Sequence, residues 1–335
     1  MNEALLINID TENLLDEKKF HSIKSVLVNN EGLSYHDFKK TLQPNYPKIG
    51  FDIAAGWILI VACVIVGLLI NQIESIWIKI LLSLADSMLL GFVVNYLSNF
   101  FHEAAHYNIA PDKNKNDLIA NCFLGILQAQ HIKQYRIVHW QHHVHIGTPE
   151  DTEYSYFSAL TFRFFMESLT GTRAVRIFLS RSKSNAANEQ TGNEKKQKLQ
   201  MLFAGIIFHI VVLVIFIFTK QYWLAGIWLV GFGTFFPFFG SLRQLLEHRG
   251  EWASKKTDYS KTAHGRLTRI FSGSAFAAAF GSAGFDRHLL HHLEPQISYT
   301  NLSQLEKFLR QTSIGTQIKK QKTSYYKAFI KLSGK

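Results

Sequence analysis

The sequence predicts an all-α membrane protein in which four transmembrane helices carry a cytosolic helical cap with three histidine boxes. The composition is the first reason, because 47% of the residues are hydrophobic and only 18% are charged, whereas soluble proteins have about 25% charged residues. The second reason is a set of four apolar stretches, whose lengths are close to the roughly 20 residues that a helix needs to cross a bilayer. These stretches cover residues 53–73, 76–100, 201–219 and 222–242.

The distribution of basic residues predicts how the spans are oriented. The formal net charge is +11, and all but two of the 36 Lys and Arg residues, Lys79 and Lys220, lie before the first span, in the central loop or after the fourth span. Because Lys-rich and Arg-rich loops stay cytoplasmic, we expect a multi-pass integral membrane protein with both termini and every histidine box on the cytosolic side. The same distribution favours an anionic membrane surface, and not nucleic acid, as the partner of the positive charge.

The polar and apolar segments divide the chain into a short arm and a long membrane domain. Residues 1–50 are expected to be a cytosolic arm with short helices near 14–28 and 35–42. Residues 51–335 form the membrane domain. Its cytosolic part is expected to consist of a cap over residues 102–200 and 243–316 and a basic, solvated or lipid-facing tail over residues 317–335.

Three segments of the central loop have distinct patterns. Residues 118–130 are apolar but too short to cross a bilayer, which predicts an interfacial or re-entrant helix. Residues 157–179 mix aromatic residues with three arginines, which predicts a basic amphipathic helix on anionic headgroups. Residues 182–200 are predicted to be a mobile linker. The cysteines Cys63 and Cys122 are both expected to be small buried hydrophobic residues.

The histidine boxes are the main chemical signal. Residues 139–143 and 288–292 repeat the pattern His-x-x-His-His, and residues 102–106 have the pattern His-x-x-x-His. Helical residues three or four apart share a face, while adjacent residues point about 100° apart, so one box can supply two metal centres. Imidazole suits Zn, Cu, Fe and Ni, so the ligand type alone does not name the metal. The candidate ligands in the boxes are His102, His106, His139, His142, His143, His288, His291 and His292.

Two rival functions follow from parts of this pattern. His102, Glu103 and His106 match the His-Glu-x-x-His signature of zinc metalloproteases, in which the glutamate is the general base, but a protease leaves the two other boxes unexplained. A metal transporter would place ionisable residues inside the spans. Only Lys79, Asp86 and His209 do so here, and His209 is expected to be buried within span three.

The chain resembles the membrane fatty acid desaturase and hydroxylase family. The resemblance rests on four spans, on the three boxes in their order, and on the turn Leu293-Glu294-Pro295 directly after the last box. It covers most of the chain after about Leu42. It implies two non-haem Fe ions that use O₂ to introduce a double bond into a fatty acyl or lipid chain, with a lipid hydroxylase or a carotenoid oxygenase as alternatives within the family.

The resemblance also implies further residues and partners. His248, near the cytosolic end of the fourth span, resembles the extra histidine that completes the ligand set, and Gln244, one turn earlier, is a candidate to hold a metal-bound water. The substrate is expected to be a lipid in the bilayer that reaches the site through a slot lined by spans two and four. Because the chain has no flavin or nicotinamide fingerprint, electrons are expected from a ferredoxin or a b-type cytochrome on the basic face.

Residues around the ligands are expected to fix their orientation, because the second ring nitrogen of a metal-bound histidine needs a hydrogen-bond partner. Asp151 and Glu153, just after the second box, are the first choices. Asn99 lies on a polar stripe with His102 and His106, where it either supports the metal or bonds to another helix. The remaining acidic candidates are Glu103, Glu247, Asp286 and Glu294. The other histidines, His21, His36, His131, His145 and His264, are expected to be ordinary polar residues.

Overall fold

The structure is a computed structural model that describes residues 15–173, 175–176, 192–271 and 273–333. Within these ranges the chain folds into helices and turns without a β-strand, which confirms the all-helical prediction. Two isolated bridges are the closest approach to a sheet, and they pair Val28 with Ser34 and Ile270 with Lys322.

The α-helices are numbered here in chain order. Helix α5 continues through a π-helical segment and a final turn, and α9 contains a π-helical segment in its middle. The helices are α1 (Glu17–Ile23), α2 (Tyr35–Thr41), α3 (Tyr46–Asn71), α4 (Ile76–Ala105), α5 (Lys113–Ile119, then Ala120–Gly125 and Ile126–Gln128), α6 (Ile132–His145), α7 (Phe162–Leu169), α8 (Gly192–Phe218), α9 (Tyr222–His248), α10 (Ala275–Phe280), α11 (His288–Leu293), α12 (Leu302–Arg310), α13 (Gly315–Lys320) and α14 (Tyr325–Ser333).

Four of these helices, α3, α4, α8 and α9, are long and apolar enough to cross a membrane, as predicted. Each extends beyond its apolar stretch, because hydropathy marks only the part of a helix that lies in hydrocarbon. Helix α3 begins at Tyr46, where the Asn45 side chain accepts a hydrogen bond from Lys48 N and caps the first turn. Helix α4 continues past residue 100 and so carries the first histidine box out of the apolar stretch.

Glycines allow the spans to pack closely, as is common between membrane helices. A Cβ atom placed on Gly56 of α3 would lie 2.4 Å from Leu97 Cδ2 of α4, and one placed on Gly91 of α4 would lie 2.4 Å from Phe235 Cβ of α9. At the depth of Gly91, spans two and four are therefore in direct contact, and the expected slot between them does not exist there.

Several predictions for the central loop are wrong. Residues 157–179 do not form one amphipathic helix, because α7 is short and Arg173 is buried, where it donates hydrogen bonds to Ser155 O and Ser158 Oγ. The linker prediction is wrong for residues 192–200, which are the first turns of α8. The rest of the predicted linker, residues 182–191, and the end of the predicted amphipathic helix, residues 177–179, lie outside the described part. Cys63 is buried as expected, but Cys122 is exposed.

The arm and the tail both pack against other parts of the protein. Phe20, Tyr35 and Phe38 of the arm share one hydrophobic core with α11, α12 and α13, and the Phe38 ring stacks on Phe308 at 4.2 Å. The tail, residues 317–335, was expected to be solvated or lipid-facing surface, but part of it is buried. Its residues Ile318, Tyr325, Ala328 and Leu332 are buried.

Candidate metal centre

Helix ends and two short helices carry the predicted ligands. His102 and His106 lie at the end of α4, which stops because Tyr107 adopts the left-handed conformation with φ of 63°, a usual helix terminator. The Arg136 guanidinium donates hydrogen bonds to the buried carbonyl oxygens of Ala104 and Ala105 in the last turn and fixes this end. Helix α6 carries the second box, α9 ends at His248, and α11 carries the third box.

All nine predicted histidines are buried and meet in two groups. In each group the candidate ligand atoms lie within 4.8 Å of one another. The five-histidine cluster contains His102, His106, His139, His143 and His291, and the four-histidine cluster contains His142, His248, His288 and His292.

The second and third boxes each contribute to both clusters. Within α6, His139 faces His143 with 3.0 Å between their Nε2 atoms, while His142 turns to the other cluster. Within α11, His288 faces His292 at 3.2 Å between the Nε2 atoms, while His291 belongs to the five-histidine cluster. Histidines four positions apart in a box thus share a cluster. The sequence had allowed either this pairing or a pairing of histidines three positions apart.

The geometry fits a metal ion in each cluster. The Nε2 atoms of His106 and His139 are 2.9 Å apart, and those of His248 and His288 are 2.8 Å apart. Two nitrogen ligands at about 2.1 Å from one metal and at right angles are about 3.0 Å apart. The His291 ring is buried, yet neither of its nitrogens has a hydrogen-bond partner in the described part of the chain, a costly arrangement that a bound metal relieves.

The protonation states of the third box favour ligation. Burial lowers the pKa of His288, His291 and His292 well below the usual value, and neighbouring imidazoles lower it further. These rings are therefore neutral and offer a lone pair, as metal binding requires. Burial also lowers the pKa of His142, but the negative charges of Asp151 and Glu153 outweigh that effect and raise its pKa to about 9.

Asp151 is the carboxylate most closely built into the site. It is fully buried, it lies 2.9 Å from His142 Nδ1, and it accepts hydrogen bonds from the Tyr156 hydroxyl and from Glu153 N. A donating Nδ1 leaves the Nε2 lone pair of His142 free to bind a metal. The Glu153 carboxylate lies 3.7 Å from His139 Nδ1 and 3.8 Å from His142 Nε2.

The other acidic candidates point mainly to other partners. Glu103 accepts a hydrogen bond from Tyr299 N at 2.7 Å. Glu247 accepts hydrogen bonds from Arg243 and from the Tyr325 hydroxyl, and its carboxylate is 3.9 Å from His288 Nε2. Asp286 pairs with Arg287, and Glu294 pairs with Lys24 and Lys39.

The two polar candidates on the long spans do not bond to the clusters. Asn99 donates hydrogen bonds to Phe280 O at 3.3 Å and to Ser282 Oγ at 2.9 Å, so it joins α4 to the segment around the end of α10. Gln244 is half-buried, and its side chain makes no hydrogen bond to another residue in the described ranges.

A match to a family model completes this description. The model for fatty acid desaturase matches residues 77–325, which is more than half of the chain and includes every histidine of both clusters. The chain belongs to the fatty acid desaturase family. No curated protein sequence gives a significant match. Family membership implies an oxidoreductase and is consistent with the use of iron.

Sequence reasoning missed three contacts in this desaturase-family site. The Glu17 carboxylate of the arm lies 3.3 Å from His143 Nδ1 and 2.9 Å from His292 Nδ1. Glu17 is 126 residues away from His143 in the sequence, and no spacing rule connects the two. His248 Nδ1 lies 3.1 Å from the backbone oxygen of Leu267, and a backbone partner leaves no mark in the sequence.

Two histidines outside the boxes also lie in defined surroundings. His264 was expected to be an ordinary polar residue, but it is 1% exposed and packs against Tyr156 and Tyr259. Burial lowers its pKa to about 3, so it is neutral. His209 in α8 is half-buried and accepts a hydrogen bond from Trp228 Nε1, so the expectation of a buried residue holds in part.

An apolar groove opens beside α9. It has a volume of about 610 Å³ and lies between the π-helical part of α9 and the segment after α7. Its residues are Thr170, Gly171, Thr172, Val175, Phe232, Gly233, Phe236 and Pro237. Span two does not contribute to this lining, so the groove differs from the slot that the sequence led us to expect.

Proposed function

We propose that this chain is a membrane-bound di-iron oxidoreductase that uses O₂ and external electrons to introduce a double bond into a fatty acyl or lipid chain. The observation that carries the proposal is the convergence of nine buried histidines in two clusters. Bound iron would supply the activation of O₂. One O₂, two electrons from the donor, two protons and the two hydrogens removed from the chain together give two molecules of water.

The ligand arrangement supports two metals held side by side. One ion is assigned to the five-histidine cluster and the other to the four-histidine cluster. Because His142 and His143 are neighbours in α6 but belong to different clusters, the backbone of one helix fixes both positions. The same is true of His291 and His292 in α11.

Aromatic side chains exclude water from this centre. The Phe285 ring packs 4.3 Å from the His102 ring and 4.8 Å from the His288 ring, and so covers a ligand of each cluster. The Tyr135 ring stacks on His139 at 5.6 Å. Excluding water prevents side reactions of an oxidising centre.

The groove beside α9 is the proposed place where a hydrocarbon chain enters. A side chain on Gly233 would meet open space, and Gly233 lines the groove. The test is Gly233→Trp, which should lower product formation about tenfold or more and leave the iron content unchanged. Gly226→Trp, at an exposed and equally open position of the same helix, is the matched control. Equal activity of both variants would remove the groove from the proposal.

The position of Glu103 speaks against a zinc protease. A general base must reach the proton of a metal-bound water, but the Glu103 carboxylate is fully buried and bonded to the backbone of Tyr299. In addition, His102 and His106 lie with three further imidazoles, where a protease needs one additional ligand and a water.

We further propose that the cap is cytosolic and that the electron donor is a separate ferredoxin or b-type cytochrome. The support is the placement of the basic residues, since all of the 36 except Lys79 and Lys220 lie before the first span, in the central loop or after the fourth span. A protein surface rich in these basic residues attracts an acidic electron donor. Protease access to the arm in sealed vesicles of known orientation tests the cytosolic assignment.

Metal analysis and lipid profiling test the function itself. About two irons per purified chain are expected, and stoichiometric zinc without iron would contradict the proposal. Cells that carry the gene should contain a new unsaturated chain that cells without it lack. A hydroxylated lipid in its place would identify the alternative reaction of the same family.

A further inference from the structure

Glu17 connects the two clusters from outside the part of the chain that the family model matches. Its Oε1 atom lies 2.9 Å from His292 Nδ1 and 3.3 Å from His143 Nδ1. His292 belongs to the four-histidine cluster and His143 to the five-histidine cluster. The family match begins only at residue 77, so this contact is supplied by the arm and is not implied by the matched region.

The contact lies on the outer side of both rings. The Nε2 atom of His143 faces His139 at 3.0 Å, and the Nε2 atom of His292 faces His288 at 3.2 Å. The Nε2 atoms therefore point into the clusters, and the Nδ1 atoms point to Glu17. One carboxylate oxygen has enough lone pairs to accept from both Nδ1 groups.

The arm is fixed on both sides of Glu17. The backbone N–H and carbonyl of Leu15 both bond to the buried Gln321 side chain, each at 3.2 Å. The Phe20 ring is fully buried in the core shared with the cap. Asp16 caps α1 by accepting a hydrogen bond from Lys19 N. The backbone at Glu17 is thus held in place without the histidines, and the second oxygen of its carboxylate lies 3.8 Å from Arg266 Nη1.

We propose that Glu17 is a positioning residue that fixes the tautomer and orientation of one ligand in each cluster. The inference rests on the proposed function, since it needs a metal in both clusters. A charged acceptor on Nδ1 holds the proton there, makes Nε2 the ligand atom and raises its basicity. Because the one carboxylate serves both rings, its loss should weaken both metals together.

The test compares iron retention in Glu17→Gln, Glu17→Ala and wild-type protein against a competing chelator. Loss of an outer hydrogen-bond partner typically costs about 10–100-fold in metal affinity. The chelator concentration that removes half of the iron should fall by this factor in both variants, with both irons lost together. Glu31→Gln, at an exposed acid of the same arm, should behave as wild type.

Thermal melting of the metal-free proteins separates positioning from a general structural role. Metal-free Glu17→Gln should melt with metal-free wild type, while the iron-loaded variant melts lower than iron-loaded wild type. Equal iron retention, loss of one iron alone, or an equal drop in the metal-free form would each overturn the inference. Wild-type protein without iron would overturn the proposed function, and this inference with it.

Discussion

The two clusters differ in how their ligands are held from outside. In the four-histidine cluster, three rings have an Nδ1 partner: His142 contacts Asp151, His248 contacts a backbone carbonyl and His292 contacts Glu17. In the five-histidine cluster, neither nitrogen of His102 or His291 has a hydrogen-bond partner among the described residues. The smaller cluster is therefore the more strongly preorganised.

The difference suggests a division of work between the two metals. In the five-histidine cluster an ion would be held by the number of its imidazole ligands. In the four-histidine cluster it would be held by the orientation of three rings that have an Nδ1 partner, since outer partners contribute strongly to metal affinity. An ion in the four-histidine cluster would have one fewer imidazole ligand than its neighbour. It would accordingly have room for one more ligand, such as O₂ or water.

The largest effect is expected from removing a ligand of either cluster. His291→Ala empties a position of the five-histidine cluster and His142→Ala one of the four-histidine cluster. We expect each change to lower product formation by at least about 100-fold, more than loss of an outer partner costs, and to leave about one iron per chain. Product analysis and iron analysis on membrane-inserted protein check this.

His36→Ala is the control for these two variants, because His36 is exposed on α2 and belongs to neither cluster. Full activity in one of the two ligand variants would remove its histidine from the ligand set. Loss of both irons in His291→Ala but only one in His142→Ala would mean that the five-histidine cluster must be filled first.

A smaller effect is expected from Asp151→Asn, which tests how much the Nδ1 partner of one ligand contributes to metal binding in the four-histidine cluster. The amide carries no charge and does not hold the His142 proton on Nδ1 as a carboxylate does. Iron affinity should fall about 10–100-fold in the four-histidine cluster and stay unchanged in the other. Iron titration should then show two separate steps.

Asp258→Asn is the matched control and should bind iron as wild type does, because Asp258 is an exposed residue whose side chain bonds to Ser260 in a local turn. Equal weakening of both irons in Asp151→Asn would show that Asp151 acts on the whole centre and not on His142 alone.

Spacing within helices explains why so much of the candidate site was readable from the sequence. A residue four positions from another lies on the same helix face, so each box determines its own arrangement, as His139 and His143 show. Hydropathy likewise located all four long helices. Both signals act within a single helix.

Contacts between distant segments were not readable. Glu17 meets His292 across 275 positions, and its place depends on how the arm packs on the cap. Hydropathy also missed the first turns of α8, where Glu194 and Lys195 continue the helix outside the apolar stretch. The π-helical segment after Val230 in α9 changes the register of the span without any change in its polarity.

The smallest effect is expected from Glu103→Gln, at a carboxylate beside a ligand of the five-histidine cluster. Glu103 follows His102 directly but accepts its hydrogen bond from Tyr299 N, and the amide oxygen of glutamine can accept the same bond. Product formation should change by less than about tenfold, whereas loss of a general base would cost about 100–10,000-fold. Turnover at equal iron content measures the difference. A loss in the larger range would assign Glu103 a role in proton transfer, and would mean that the five-histidine cluster has a catalytic carboxylate where the geometry shows only a structural one.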